Sequence, residues 1–222
     1  MSLVEVPVED LLKVLPFRAE QDVRYYLNGI LVEPADGGAF LVATEGHVLA
    51  VVHSPGAHTD KQRILDVSDD MARACRELKS ASLASKITIE DEKARAIVSD
   101  ATGEHFIKPG KPFIDGKYPD WRRVIPTVDN LQPGLLSAIN GTYLAKLKRS
   151  LPKHLTHYGF QFWHDARDPL TRAAVARSPV MPEMVFVIMP MKVDKEHVWP
   201  DWMPHEPPKL EEPAPAPTES AA

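Results

Sequence analysis

The 222-residue sequence contains a single cysteine, Cys75, so no disulfide can form within the chain. It also lacks any apolar run near the roughly 18 to 20 residues that a membrane-spanning helix needs. The amino terminus, MSLVEVPVEDLL, places acidic residues before its apolar ones, the reverse of a secretory signal peptide. These absences predict a cytoplasmic protein that does not bind membranes.

Motifs for catalysis and for cofactor binding are absent as well. The sequence has no glycine-rich phosphate loop and no serine or cysteine elbow with partners at a known spacing. His154 and His157 are three residues apart and His164 precedes Asp165, but a third metal ligand at a recognised spacing is lacking. The prediction is a non-catalytic protein without metal or cofactor. A metal-dependent hydrolase is the distant alternative.

The acidic and basic residues are unevenly distributed along the chain. The net charge is −5, yet residues 194–222 hold seven acidic and two basic residues, which leaves 24 of each, out of 31 and 26, in residues 1–193. That last segment also holds seven of the 21 prolines and ends in EEPAPAPTESAA. Such a composition buries too little apolar area to offset the entropy of ordering. It predicts a largely disordered tail after a neutral, folded body.

Apolar residues at helical spacing recur three times along that body. The first stripe is Val8, Leu11, Leu12 and Leu15; the second follows a capping Ser68; the third begins near Asn140. The second helix would bury Cys75 on its apolar face. Each stripe therefore predicts an amphipathic helix.

Segments rich in β-branched and aromatic residues follow each predicted helix. They are YYLNGILVEP and AFLVATEGHVLAVVH, then KITIED, ARAIVSD and GEHFIKPGKPF, then YGFQFWH, TRAAVARS and EMVFVIMPM. A helix followed by several antiparallel strands, three times in about 190 residues, is a supersecondary repeat. The predicted fold class is α+β.

Three distant stretches resemble the bacterial DNA polymerase III sliding clamp, the β subunit that confers processivity. They are Gln21–Gly29 continuing to Thr44–His47, then Asp115–Pro126, and Val187–Lys192. Ile139–Leu144 also resembles the start of a helix in the clamp's last domain. The resemblance implies a clamp fold with about three half-repeats: residues 1–126 as a whole middle domain, 127–193 as the second half of the carboxy-terminal domain, and 194–222 as the tail.

The resemblance also implies a groove between these two domains for short linear peptides of DNA polymerases, clamp loaders and repair proteins. Carried over position by position, its wall comprises Leu27, Thr44, Gly46, His47, Leu49, Pro119, Arg123, Val124, Val187, Met189, Pro190 and Met191. Methionines suit a surface that accepts several peptides, because their side chains are flexible and polarizable. VFVIMPM alone is more typical of a buried core strand; the other two stretches favour the groove.

Four positions of this sequence depart from the family's usual residues. Glu45 and Val48 replace aspartate and arginine, Trp121 replaces tyrosine, and Lys192 replaces arginine. The Val48 replacement removes a hydrogen-bond donor, so we expect a changed preference among peptides.

In the family, helices of the repeats line the inner wall of a ring around DNA. The positions that this implies for contact with the DNA backbone, without sequence specificity, are Gln21, Arg24, Tyr25, Tyr26, Arg73, Arg76, Lys79, Lys146, Lys148, Arg149 and Lys153. Without the resemblance, charge on these helix faces would indicate solvation alone.

A ring of this family contains twelve half-repeats, so four chains of three repeats could close one. One hypothesis is a homo-oligomer in which the single half-domains of two chains pair and cover their sheet edges. The alternative is a third repeat that folds back on the first domain. That protein would be a peptide-binding regulator or competitor of clamp partners that does not encircle DNA.

Overall fold

The computed structural model describes residues 3–78, 85–90, 95–100, 103–107, 111–134, 138–155 and 158–192, to which the description below is confined. Helices alternate there with antiparallel strands, as the α+β prediction requires. The predicted tail, 194–222, and Lys79 lie outside the described residues. In the ranges above, no helix combines the length and apolar character needed to cross a bilayer.

Three helices form where the sequence predicts them: α1 (Val8–Val14), α2 (Asp69–Leu78) and α3 (Gly141–Ser150). The Ser68 hydroxyl accepts a hydrogen bond from the Met71 amide at 3.2 Å at the start of α2. The Asn140 side chain accepts one from Thr142 at 2.9 Å at the start of α3. Both bonds satisfy amides that a helix leaves unpaired at its first turn, which fixes where each helix begins.

Thirteen strands are present in the described part of the chain. They are β1 (Leu3–Pro7), β2 (Ile30–Ala35), β3 (Gly38–Thr44), β4 (Val48–Ser54), β5 (His58–Thr59), β6 (Arg63–Leu65), β7 (Lys86–Glu90), β8 (Arg95–Asp100), β9 (Gly103–Ile107), β10 (Leu131–Pro133), β11 (Gln161–Asp165), β12 (Ala174–Arg177) and β13 (Met184–Ile188). They form a five-stranded sheet in the order β5-β1-β7-β8-β9 and an eight-stranded sheet in the order β10-β11-β12-β13-β4-β3-β2-β6.

The first two repeats exchange strands reciprocally. Strand β1, which precedes α1, pairs with β7, the first strand after α2. Strand β6, which precedes α2, pairs with β2, the first strand after α1. Each repeat thus completes the sheet of the other, so the two repeats fold as one unit.

The third repeat joins the first through one antiparallel strand pair. Strand β13 pairs with β4 over five positions, from Met184 opposite Val52 to Ile188 opposite Val48. The eight-stranded sheet consequently runs across the predicted boundary between residues 126 and 127. Helix α3 lies on the same side of this sheet as α1, and the two helices are in contact.

The eight-stranded sheet is buried on both faces near its centre. Alternate residues of β3, β4 and β13 point to two different clusters, as the two-residue period of a strand requires. Val48, Ala50 and Val52 belong to the cluster beneath the helices. Leu49 and Val51 belong to the cluster on the opposite face, which Tyr118 and Trp121 cover together with other residues. The site described below lies on this second face.

One predicted strand starts later than the sequence pattern indicates. The segment YYLN, expected at the start of a strand, forms a 3-10 helix over Tyr25–Asn28, and β2 begins at Ile30. The Leu27 amide donates to the Arg24 carbonyl at 2.8 Å, and the Asn28 side chain accepts from the Asp22 amide at 2.9 Å. These local bonds favour a turn over the β propensity of the two tyrosines.

Lys13 links α1 to the third repeat. Its ammonium lies 2.8 Å from Asp10 and 2.8 Å from Glu183, which directly precedes β13, and its side chain is only 9% exposed. Burial alone would lower the pKa of Lys13, but the hydrogen bonds and charges of Asp10 and Glu183 outweigh burial and raise it. Lys13 therefore stays charged throughout the neutral pH range, and its pair with Glu183 holds the two repeats together.

We expect Lys13→Met to lower the free energy of unfolding by about 1–3 kcal/mol, because it leaves two partly buried carboxylates without their cation. Urea unfolding at neutral pH measures this change. The matched control is Lys61→Met at an exposed position, which should cost less than about 0.5 kcal/mol. Equal losses in the two variants would contradict the assigned role of Lys13.

Candidate functional site

An apolar groove of about 170 Å³ lies where the first and third repeats meet. We call it the junction groove. Its lining comes from the turn before β2, the β3–β4 turn, the segment Tyr118–Val124 and the end of β13. The lining residues are Arg24, Leu27, Thr44, Gly46, His47, Val48, Leu49, Tyr118, Pro119, Asp120, Trp121, Val124, Val187 and Met189.

The structure brings together nine of the twelve residues predicted for the groove wall. They are Leu27, Thr44, Gly46, His47, Leu49, Pro119, Val124, Val187 and Met189. Arg123, Pro190 and Met191 are not among the lining residues. Arg123 is exposed in a 3-10 helix, and the Met191 amide donates to the Ala138 carbonyl at 2.8 Å, beyond the end of β13.

Hydrogen bonds hold the β3–β4 turn that forms one end of the groove. The Thr44 hydroxyl donates to the Val48 carbonyl at 2.8 Å and accepts from the Gly46 amide at 3.0 Å. The Met189 amide donates to the His47 carbonyl at 2.9 Å. This last bond ties the turn to the end of β13, so Met189 is held at the groove although its side chain is 39% exposed.

Arg24 supplies a fixed cation at the groove rim. Its guanidinium binds both carboxylate oxygens of Asp22, at 3.0 and 2.7 Å, and donates to the Glu45 carbonyl at 3.1 Å. These bonds lower the pKa of Asp22 to about 2, so the pair stays ionised at neutral pH. A Cβ atom at Gly46 would lie 2.8 Å from the Arg24 guanidinium, and Gly46 has φ +104°. A larger residue at position 46 would clash with the guanidinium, so glycine allows Arg24 to lie across the turn.

Trp121 anchors the segment between the first two repeats and the third. Its indole N–H donates to the Glu33 carboxylate at 3.1 Å, and its ring meets Phe40 edge-on at 5.4 Å. The Arg122 guanidinium lies 4.0 Å from the Trp121 ring centre and donates to Glu33 at 2.7 Å. Beside it, burial raises the pKa of Tyr118. This packing holds Pro119, Asp120 and Val124 at the groove.

Val48, where the family usually has arginine, packs into the cluster beneath the helices and is almost fully buried. It contributes no charge to the groove. Among the residues lining the groove, Arg24 is the only lysine or arginine. The groove thus has an apolar floor and a single fixed cation at its rim.

Two further grooves lie on the helix side of the molecule, with volumes of about 490 and 530 Å³. We call them the helix-side grooves. Both are lined by Arg18 and Arg149; Arg76 and His154 line the first, and Gln21 and Lys146 the second. Acidic residues also line them: Glu20 lines both, Asp69 the first, and Asp22 and Glu45 the second. The surface therefore carries mixed charge.

The other residues predicted to contact DNA are dispersed. Arg73 and Lys148 are exposed on α2 and α3, and Arg73 forms an ion pair with Asp70 at 3.3 Å. Tyr25 is exposed and Tyr26 half-buried. Arg24 lines the junction groove instead of either helix-side groove. The side chain of Lys153 lies outside the described residues.

Sequence reasoning missed several lining residues of both kinds of groove. Tyr118, Asp120 and Trp121 could have been included, because they stand in the same clamp-like stretch, DGKYPDWRRVIP, as the predicted Pro119. Arg18 and His154 lie in segments flanking α1 and α3, outside the helix faces from which DNA contact was predicted. In the ranges given above, no group of three or more histidine, cysteine or acidic side chains could hold a metal ion.

Comparison with known proteins identifies relatives of part of this chain. No protein-family model matches it. The beta sliding clamp of Escherichia coli strain K12 is 34% identical over 127 residues, which are 56% of this chain and 33% of that clamp. The match thus spans about one third of the length of that clamp.

Solved structures show the same resemblance at the level of the fold. The crystal structure of a DNA polymerase sliding clamp from Pseudomonas aeruginosa with ligand aligns with a TM-score of 0.60 and 19% identity, over 86% of this chain and 66% of that one. A sliding clamp from the same organism bound to griselimycin aligns with a TM-score of 0.57 and 20% identity, over 86% and 65%. The chain is therefore a relative of the beta sliding clamps in the matched half of its sequence, and it has the sliding-clamp fold.

Proposed function

We propose that this chain is a non-catalytic, sliding-clamp-like protein of DNA replication or repair in the cytoplasm. Its partners would be DNA polymerases, clamp loaders or repair proteins that carry short linear peptide motifs. The observation that carries the proposal is the junction groove, an apolar cleft built from four separate segments of the chain. A sliding clamp of the same fold has been solved with griselimycin bound.

The chemistry of the junction groove suits a peptide with apolar side chains. Leu49, Val124 and Val187 offer apolar surface, and the flexible thioether of Met189 can adapt to different side chains. The rim offers the Arg24 guanidinium, whose Asp22 partner keeps it in one position. Apolar residues of the peptide would occupy the floor, while Arg24 would orient a carbonyl or carboxylate of the peptide.

Valine at position 48 limits which peptides the junction groove binds well. Val48 lines the groove, but its side chain packs into the cluster beneath the helices, so this position offers no side-chain donor to a polar peptide group. A peptide that needs such a donor would leave a polar group unpaired, which costs about 1–3 kcal/mol. We therefore propose a preference for motifs of the QLxLF type, in which leucine and phenylalanine contribute most of the binding energy.

A fluorescent peptide of the QLxLF type, titrated against the full chain by anisotropy, tests the peptide proposal. We expect saturable binding at tens of micromolar or tighter. Met189→Ala should weaken binding by about five- to thirtyfold, because it removes about 1–2 kcal/mol of apolar contact. Met191→Ala is the matched control, since Met191 is exposed and does not line the groove.

Two results of this titration would count against the proposal. The first is the absence of binding by the full chain at a hundred micromolar. The second is an equal loss of affinity in Met189→Ala and Met191→Ala, which would place the peptide elsewhere. Circular dichroism of both variants checks that each is folded.

We propose in addition that the helix side contacts the DNA backbone without sequence specificity. Arg76 and Arg149 line the first helix-side groove together with Arg18 and His154. Arg18 already has partners within the protein, because its guanidinium donates to the Val67 carbonyl and lies 3.7 Å from Asp69. The exposed Arg76 and Arg149 are therefore the cations most available to phosphates.

The described part of one chain holds three helix-plus-strand repeats, and this observation favours a second candidate function. One copy of it has too few repeats to surround DNA as a ring of the family does. Encirclement would need several copies, so the DNA role is proposed for a homo-oligomer. If copies do not assemble, the same groove would make the protein a peptide-binding regulator or competitor of clamp partners.

Binding to a nicked circular DNA and to the same DNA after linearisation separates these two functions. Encirclement predicts retention on the circle at high salt and loss after linearisation, whereas backbone contact alone is lost with salt on both substrates. The double variant Arg76→Ala, Arg149→Ala should weaken binding at low salt by at least tenfold. Its control, Lys111→Ala with Lys117→Ala, removes the same charge at exposed positions outside both grooves and should change affinity less than threefold.

A further inference from the structure

Helix α3 exposes apolar surface that the described side chains of the other two helices do not. A depression of about 280 Å³ runs beside it, and we call its lining the α3 face: Leu144, Leu147, Lys148, Leu151, Tyr158, Phe160 and Phe162. Leu144 is 43% exposed and Tyr158 is 42% exposed. Apolar side chains clustered at one exposed site are typical of a surface that another molecule covers.

The molecule itself shows how such a surface is covered in the other repeats. The first and second repeats exchange strands, and their helices α1 and α2 are in contact. As a result Leu11 on α1 and Met71 and Cys75 on α2 are fully buried. In the described part of the chain, the third repeat has no fourth repeat to cover it in this way. A second copy of the chain supplies a repeat of the kind that could cover this face.

The composition of α2 argues against a head-to-tail contact between copies. Its exposed residues include Arg73, Arg76 and Glu77, and no large hydrophobic side chain of its described residues is exposed. Placing α2 of one copy on the α3 face of the next would desolvate these charges against Leu144 and Tyr158. A two-fold contact instead places the same apolar face on both sides, which makes it complementary to itself.

The sheet edge near α3 contributes less to a contact between copies than the helix does. Strand β10 is the last strand of the eight-stranded sheet on this side. Pro133 in this strand has no N–H, so it cannot donate to a strand of another copy. Lys148, the one cation of the α3 face, can lay its aliphatic stem on the apolar surface and keep its ammonium in water. The apolar side chains are thus the main source of binding energy.

We propose that two copies of this chain associate about a two-fold axis through their α3 faces, each supplying the covering repeat that the other lacks. This inference deepens the proposed assembly of copies. The α3 face and the junction groove share no lining residue, so peptide binding and self-association can fail independently.

Sedimentation velocity of the full chain between about 1 and 100 µM tests the association. We expect the mass of a dimer in the upper part of this range and a monomer for Leu144→Arg over the whole range, because the new charge would be buried in the contact. Leu170→Arg is the matched control: Leu170 is 62% exposed and does not line the α3 face, so this variant should still dimerise. A monomeric wild-type chain at 100 µM, or a dimeric Leu144→Arg, overturns the proposal.

Cross-linking distinguishes the two-fold contact from other contacts between copies. The proposed axis passes beside Leu144, the exposed leucine of α3. Leu144 then lies close to Leu144 of the second copy, so Leu144→Cys should form a disulfide-linked dimer on mild oxidation. The native Cys75 does not interfere, because burial raises the pKa of its thiol to about 12. Leu170→Cys is the control and should link at least tenfold more slowly. Equal rates for the two variants would rule out the two-fold arrangement.

Peptide binding by Leu144→Arg completes the test. We expect its affinity for the QLxLF-type peptide to stay within twofold of the wild-type value, since the junction groove lies within one chain. Loss of dimerisation with retained peptide binding supports both proposals. Loss of both in a variant that circular dichroism shows to be folded would contradict the independence of the two sites.

Discussion

The antiparallel pairing of β13 with β4 is the interaction on which the rest of this molecule depends. Five residue pairs join the third repeat to the first and extend one sheet to eight strands. The register places Val187 opposite Leu49, so both side chains lie on the same face of the sheet, among the residues that line the junction groove. A shift of one residue would turn these side chains to the helix side. Lys13 and Glu183 support this register from the other side of the sheet.

The junction groove follows from the two-sided burial of this sheet. One face is covered by helices, and the segment from Tyr118 to Val124 crosses the other and is anchored by Trp121 on Glu33 and Phe40. That segment covers only part of the face, and Met189 borders the opening that remains. A concave apolar site is therefore present without a conformational change. The fixed positions of Arg24 and the β3–β4 turn favour a groove that is formed before a peptide arrives.

Among the described residues, the same arrangement covers the third repeat on one side only. The pairing with β4 satisfies one edge of its sheet, and α1 covers one side of α3. Leu144 and Tyr158 on the remaining side are exposed, in contrast to the buried Met71 and Cys75 of α2. Self-association through the α3 face would therefore depend on the helix of the third repeat. Peptide binding in the junction groove would depend on its strand β13, which is paired with β4.

The sequence by itself determined the three helices and most of the strands of this protein, although it did not indicate β1, β5, β6 or β10. Apolar spacing and the caps Ser68 and Asn140 placed all three helices, because helix formation depends on interactions within a few residues. Nine groove residues were also predicted, by resemblance to the clamp family. Only the tertiary structure decided that Tyr25–Asn28 forms a turn, that Arg24 belongs to the groove rim, and that Arg123 and Met191 lie outside it. The turn depends on local hydrogen bonds of Asp22, Arg24 and Asn28 that outweigh the β propensity of the tyrosines. The groove outcomes depend on the register between β4 and β13 and on hydrogen bonds between distant segments, which the spacing of residues along the chain does not specify.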